Sequence, residues 1–147
     1  MNDSFVPLEE GFWAAPQITP DDIAAAKALG VTLIINNRPD GEAIGQPKGE
    51  EIEAAAKAAG LSYVAIPVGP AGVGDRQLDA FDAAIADNHG GVLAFCRTGT
   101  RSTIVWALAK ARAGAPADEI IRQAADAGYN LAGIAPRLEA LSKAAGR

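Results

Sequence analysis

Cysteine and histidine are nearly missing from this chain, with one of each among 147 residues. A single cysteine excludes an intrachain disulfide, and one cysteine with one histidine cannot complete a Cys/His zinc site within the chain. Carboxylates are numerous enough for an oxygen-ligated magnesium site, but no motif for one is present, so no metal and no other cofactor is expected. Basic charge is in deficit: 13 Lys+Arg against 18 Asp+Glu leaves −5. That balance excludes a general nucleic-acid binder, which needs basic surface to displace counterions. Long apolar runs are missing too. Val31–Ile35 and Ile104–Ala109 are far too short to span a bilayer. Met1–Glu10 is polar and acidic, without the basic start and apolar stretch of a signal peptide. Together with a lone thiol, these absences lead us to expect a soluble protein of the reducing cytoplasm. Hydrophobic residues make up 49% and charged residues 21%, as in folded rather than disordered chains. The length fits one domain over residues 1–147 with a sizeable core.

What is present is an alternation of strand and helix patterns. Gly11–Ala14 reads as a short strand. Thr19 caps a helix that has Pro20 at its first position, acidic Asp21 and Asp22 in its first turn, and Gly30 after its end at Leu29. Val31–Ile35 is β-branched and apolar, hence a buried strand. Glu50–Ala59 reads as helix and Tyr63–Ile66 as strand. Asp75 is placed to cap a helix running to about Asp87, and Val92–Phe95 is a further strand. Helices follow over Arg101–Arg112, Ala117–Ala127 and Pro136–Ala145. Such an order predicts an α/β fold with a mainly parallel central sheet flanked by helices and a helical C-terminal third. Ligands of such sheets bind outside the carboxyl ends of the strands. Three loops leave such ends: Asn36–Pro47, Pro67–Gly74 and Cys96–Arg101.

The third loop carries the chemistry. A buried strand delivers Cys96 to a short turn that runs into an apolar helix, whose leading N–H groups lack partners. Those groups and the helix dipole favour an anion. Gly99 can take the positive φ that turns consecutive N–H groups inward, and Arg101 adds a permanently charged donor fork. All of this favours a negatively charged sulfur at Cys96. Arg97, Thr98, Gly99, Thr100 and Ser102 complete the expected anion cradle, with Ser102 placed to bond the sulfur or to satisfy a helix-start donor. The plainer alternative is a small buried residue at a strand end, beside solvated Arg97 and Arg101.

The run Cys96-Arg97-Thr98-Gly99-Thr100-Arg101-Ser102 resembles the active-site loop of single-domain rhodaneses, with four residues between cysteine and arginine. Protein tyrosine and dual-specificity phosphatases carry a related loop with five residues there, usually after a histidine, where this chain has Phe95. The order of elements, including the helical tail, is more similar to the dual-specificity phosphatases. Both features meet in the phosphatase-like domain of the bacterial beta-lactamase-hydrolase-like proteins, also labelled sulfurtransferases. The resemblance extends through Gln17-Ile18-Thr19-Pro20, Ile35–Glu42, Gln46-Pro47, Tyr63–Val68 and Ala127–Leu131. It implies a dual-specificity-phosphatase-like fold. Relatives fused to, or encoded beside, a persulfide-oxidising metalloprotein make such a protein an implied partner.

The remaining residues weigh sulfur chemistry against phosphate chemistry. Phosphate-ester cleavage needs donors around three equatorial oxygens and an acid for the leaving group. Sulfane-sulfur transfer needs a thiolate and a smaller cradle. The shorter loop therefore favours sulfur. The phosphatase acid would come from Pro67–Asp75, where only Asp75 is acidic and a capping role explains it better. Asp40 sits in a Pro-Asp-Gly turn, which is ordinary turn chemistry. Arg38, in the same loop as Glu42, is an accessory candidate that either contacts an anion or pairs with a carboxylate. His89 lies in a turn at the far end of the sheet, Trp106 belongs to a buried helix, and Tyr129 and Asn130 read as core and cap. The expectation is a cysteine-dependent enzyme acting on a small anionic substrate. The leading reading is a rhodanese-type sulfurtransferase forming a Cys96 persulfide held by Arg101. Its alternatives are a phosphatase acting through a cysteinyl-phosphate and a non-catalytic anion-binding or interaction module.

Overall fold

The computed structural model describes residues 4–146. The chain opens on a hairpin of β1 (Val6–Glu9) and β2 (Phe12–Ala15), turned at Gly11 with φ of 80°. The sequence pattern shows only the second of these strands. In β1 only Leu8 is buried, and Pro7 lacks a ladder N–H, so the strand carries little periodic signal and belongs at a sheet edge. A 3-10 turn over Pro20–Asp22 leads into α1 (Ile23–Ala28), where one continuous helix was expected. Thr19 stands at the head of that turn, its N–H donating to Asp22 Oδ2 at 2.8 Å. Then come β3 (Val31–Asn36), α2 (Gly49–Ala58), β4 (Ser62–Ala65), α3 (Asp75–Ala86) and β5 (Gly91–Phe95). Three helices follow: α4 (Thr100–Arg112), α5 (Ala117–Asp126) and α6 (Ala135–Ala145). The cap of α3 is Gly74 rather than Asp75. The Gln77 side chain reaches back and accepts the Gly74 N–H at 2.9 Å.

The sheet order is β1-β2-β5-β3-β4, antiparallel only between β1 and β2. Side chains alternate across it. Leu33, Ile35, Val92 and Ala94 pack with α3, α4, α5 and α6 on one face, while Ile34, Leu93 and Phe95 pack with α1 and α2 on the other. Helix α4 lies against the sheet and is covered by α3, α5 and α6. This is why it is apolar nearly all round: Val105, Trp106, Leu108, Ala109 and Ala111 are all buried. The Trp106 indole N–H donates to Glu9 at 2.8 Å and Lys110 pairs with the same carboxylate at 3.0 Å, which ties the edge strand to the central helix. The pairing register brings Ala15, Phe95, Asn36 and Ala65 level, so four parallel strands end on one line. Among the described residues no helix is long and apolar enough to cross a membrane.

The packing sets a sharp contrast between two leucines. Leu108 is fully buried and Leu29 is 45% exposed. Leu108→Ala is expected to cost about 2–5 kcal/mol in urea unfolding, and Leu29→Ala no more than about 0.5 kcal/mol. Equal losses at the two positions would contradict the assignment of α4 as the core helix.

Candidate active site

Each of the four level strands hands its chain to a loop on the same side of the sheet. Backbone bonds knit these loops together: Asn37 N–H donates to the Phe95 carbonyl at 2.8 Å, Cys96 N–H to Ala15 at 3.3 Å, and Val68 N–H to Asn37 at 2.9 Å. The segment after β2 joins them through the Gln17 N–H, which donates to the Arg97 carbonyl at 3.3 Å. That fourth loop was not among the three expected from sequence, because the β2 pattern gave no sign of where it ended relative to β5.

Cys96 follows the last residue of β5 and is completely buried. The Gly99 N–H donates to its Sγ at 3.1 Å. Gly99 takes φ of +92°, a left-handed conformation that reverses the chain into α4. A Cβ there would overlap the Tyr129 hydroxyl. Thr98 and Thr100 are braced to each other, Oγ1 to Oγ1 at 3.0 Å, and the Thr103 hydroxyl donates to the Gly99 carbonyl at 2.8 Å. The Arg97 side chain is exposed. Ser102 is buried and neither bonds the sulfur nor caps the helix: its hydroxyl donates to Asn37 Oδ1 at 2.7 Å. The Asn37 amide nitrogen in turn donates to the Ile66 carbonyl at 2.9 Å, so Ser102 fastens α4 to the loops after β3 and β4.

Arg101 is held by a residue that the sequence did not single out as its partner. Its Nη1 and Nη2 donate to the two oxygens of Glu42 at 2.8 and 2.9 Å, and Nη1 also donates to the Val68 carbonyl at 2.8 Å. Of the five guanidinium N–H groups, this uses three and leaves Nε–H and one Nη2–H. Those two form the second, side-on edge of the planar fork, which suits a bidentate anion. Contact with Cys96 contributes to raising the Arg101 pKa, after the larger effect of Glu42. Arg38 completes the arrangement. It is buried, donates from Nε to Glu42 Oε1 at 3.0 Å and from Nη1 to Gln17 at 3.0 Å, and so acts as a brace for Glu42. The hydrogen bond from Arg101, followed by that from Arg38, holds the Glu42 carboxyl at about 2 against its usual 4.5, with burial opposing.

The other candidates fall away from this cluster or take different roles. Asp75 is exposed on the first turn of α3. Asp40 accepts the Gly49 N–H at 2.8 Å at the start of α2. His89 is exposed in the turn before β5, at the opposite end of that strand from Cys96. Tyr129, expected in the core, packs half-buried against it and also meets the loop, where its hydroxyl donates to the Thr98 carbonyl at 3.4 Å. Burial raises its phenol pKa, and the nearby Cys96 charge adds to the effect. Among the described residues no group of three or more His, Cys, Asp or Glu is placed to hold a metal ion.

Two outcomes follow from this geometry. Glu42 ionises well below an unfolded carboxylate, so its contribution to stability is present above about pH 4.5 and fades as pH falls toward 2. Glu42→Gln is therefore expected to melt below the parent at pH 6, with the gap closing as pH approaches 2. A gap independent of pH would contradict the pairing. Gly99→Ala meets both the left-handed backbone and the Tyr129 hydroxyl, for a loss of about 2 kcal/mol or more. Tyr129→Ala in the same chain should recover part of that loss, so that the two changes are not additive in chemical denaturation.

The profile of the "Beta-lactamase hydrolase-like protein, phosphatase-like domain" matches residues 4–113. A beta-lactamase hydrolase-like protein of Xylella fastidiosa is 36% identical over 105 residues, covering 71% of this chain and 24% of that protein. One from Agrobacterium fabrum is 37% identical over 109 residues, covering 74% of this chain and 25% of its own. The chain thus spans about a quarter of the length of these curated relatives. A candidate phosphatase of known structure from Neisseria meningitidis is 35% identical, covers 95% of this chain and 99% of its own, and superposes with a TM-score of 0.84. The structure of PTPMT1 in complex with PI(5)P shares the fold with a TM-score of 0.74 at 14% identity, over 98% of this chain and 97% of that one. The mainly parallel sheet, the helical C-terminal third and the loop from β5 into α4 are thus those of a phosphatase-like α/β fold, and this chain belongs to the phosphatase-like domain family of the beta-lactamase hydrolase-like proteins.

Proposed function

We propose that this domain hydrolyses phosphate monoesters through a cysteinyl-phosphate on Cys96. One observation carries the reading: the buried sulfur, the Gly99 N–H that bonds it and the Glu42-anchored Arg101 stand together where β5 runs into α4, in a phosphatase-like fold. The Cys96 thiolate attacks phosphorus, an S–P bond forms, and the ester P–O bond breaks with its electron pair leaving on the oxygen. Water then attacks phosphorus, a new P–O bond forms, and the S–P bond breaks with its electron pair returning to sulfur as phosphate is released. The side-on edge of Arg101 and the leading N–H groups of α4 hold the equatorial oxygens as charge develops on them. Glu42 is a positioning residue, since it orients the guanidinium without touching the substrate. With two guanidiniums around one carboxylate, the cluster Arg38–Glu42–Arg101 keeps a net positive charge in a chain of net charge −5. The loop before α3 carries no acidic residue and Asp75 is exposed on the first turn of that helix, so aryl phosphates, whose leaving oxygen needs little protonation, are the favoured substrates.

The comparisons favour phosphate over the sulfur chemistry that the loop length alone suggested. The four-residue interval between Cys96 and Arg101 remains the observation behind the second reading. There Cys96 takes the outer sulfur of thiosulfate as sulfite leaves, and passes it from the persulfide to cyanide or a thiol.

Intact-mass spectrometry after parallel exposure to an aryl phosphate and to thiosulfate separates the two. The expected result is aryl-phosphate hydrolysis with a transient phosphoryl adduct on Cys96. Cys96→Ser should lower turnover about a thousandfold or more, and Arg101→Lys about a hundredfold by losing the planar fork. A one-sulfur adduct with thiocyanate formation and no phosphate release would establish the second reading instead. Thermal protection by phosphate without turnover of either substrate would leave a binding module.

A further inference from the structure

Beside Arg101, the loop between β4 and α3 and the start of α6 enclose a cavity of about 240 Å³. Val68, Val73, Ile104 and Ile134 give it apolar walls, and Arg101 and Arg137 are also among its lining residues. Arg137 differs from the two paired arginines, Arg38 and Arg101. Arg38 and Arg101 are both paired with Glu42, whereas among the described residues Arg137 has no carboxylate partner. Its head is nevertheless held in place: Nη2 donates to the Val73 carbonyl at 2.7 Å. An anchored guanidinium without a counter-charge, in a chain of net charge −5, is a ready partner for an anionic group on a ligand. The cavity is smaller than the roughly 300–1,000 Å³ of sites for drug-sized ligands, so it suits one ring or a short aliphatic segment.

We propose that this cavity is a leaving-group subsite, which takes a phosphomonoester whose compact apolar body carries a second anionic group. The phosphate lies at Cys96 and Arg101, the apolar body lies against Val73, Ile104 and Ile134, and the second anion meets Arg137. The inference rests on the phosphate reading of the Cys96 loop and adds the class of substrate to it.

Stable phosphonates test binding apart from turnover. The full chain is titrated calorimetrically with methylphosphonate, phenylphosphonate and 4-carboxyphenylphosphonate. The parent protein should bind the carboxylated ligand about fivefold more tightly than phenylphosphonate. That ratio should fall to about one in Arg137→Gln and survive in Arg137→Lys. Ile104→Phe, which fills the cavity, should abolish the preference for phenyl over methyl. Circular dichroism and melting of each variant verify the fold. Equal affinities in the parent, or a carboxylate preference that persists in Arg137→Gln, would overturn the subsite. Hydrolysis of phenyl phosphate is followed separately. Turnover without carboxylate preference removes the subsite and leaves the hydrolase. A preference lost in Arg137→Gln, without turnover in the parent, supports the subsite and removes the hydrolase.

Discussion

One carboxylate between two guanidiniums organises the site. Glu42 accepts from Arg38 on the loop after β3 and from both ends of the Arg101 fork on α4. The pairs are partly exposed, with side-chain exposures of 25% for Arg101 and 28% for Glu42, and such pairs contribute only about 0–1 kcal/mol each. Their consequence is geometric. An arginine side chain left to itself samples many rotamers, and ordering it costs up to about 2 kcal/mol. Glu42, backed by buried Arg38 and by the Val68 carbonyl, meets that cost in the folded protein before any ligand arrives. The guanidinium plane is then set, with its side-on edge open.

The same economy runs through the backbone around Cys96. Asn37 lies at the centre of it, bonded to Phe95, Ile66 and Val68 through its own main chain and side chain, and to Ser102 on α4. No buried side-chain polar atom among the described residues is left without a partner. Such a fully satisfied network is rigid, because removing any member would strand a buried donor or acceptor. Behind it, α4 is clamped between sheet and helices, and its first turn cannot shift without disturbing the core. The loop that carries the sulfur is thereby fixed at both ends. Tyr129, from the segment between α5 and α6, covers it from a third side and leaves room only for glycine at position 99.

Reading the chain residue by residue recovers some of this and misses the rest for identifiable reasons. The strand at Val31 and the buried helix at Arg101–Arg112 are legible because their composition is extreme. The first strand is not, since an edge strand with one buried residue has almost no period. Asp75 is a good capping residue by type, but it stands at the first helical position, with Gly74 in the cap place. Ser102 has the right place in sequence to touch the sulfur, yet the nearest acceptor in space is Asn37, which is 65 residues away. The shorter cysteine–arginine interval pointed toward sulfur chemistry, whereas the relatives point toward phosphate, and loop length alone does not decide the reaction.

Local patterns by themselves determined the α/β alternation, the buried β5–α4 pair and the delivery of Cys96 and Gly99 to its junction, because these depend on hydrophobic period and on backbone rules that act over a few residues. Tertiary structure alone decided that Arg101 pairs with Glu42, 59 positions earlier, that Tyr129 lies over Gly99, and that Arg137 borders a cavity, bonded to the Val73 carbonyl. Those relations depend on which strand ends fall level in the sheet. Register is settled by how the buried faces of the strands pack against partners distant in sequence.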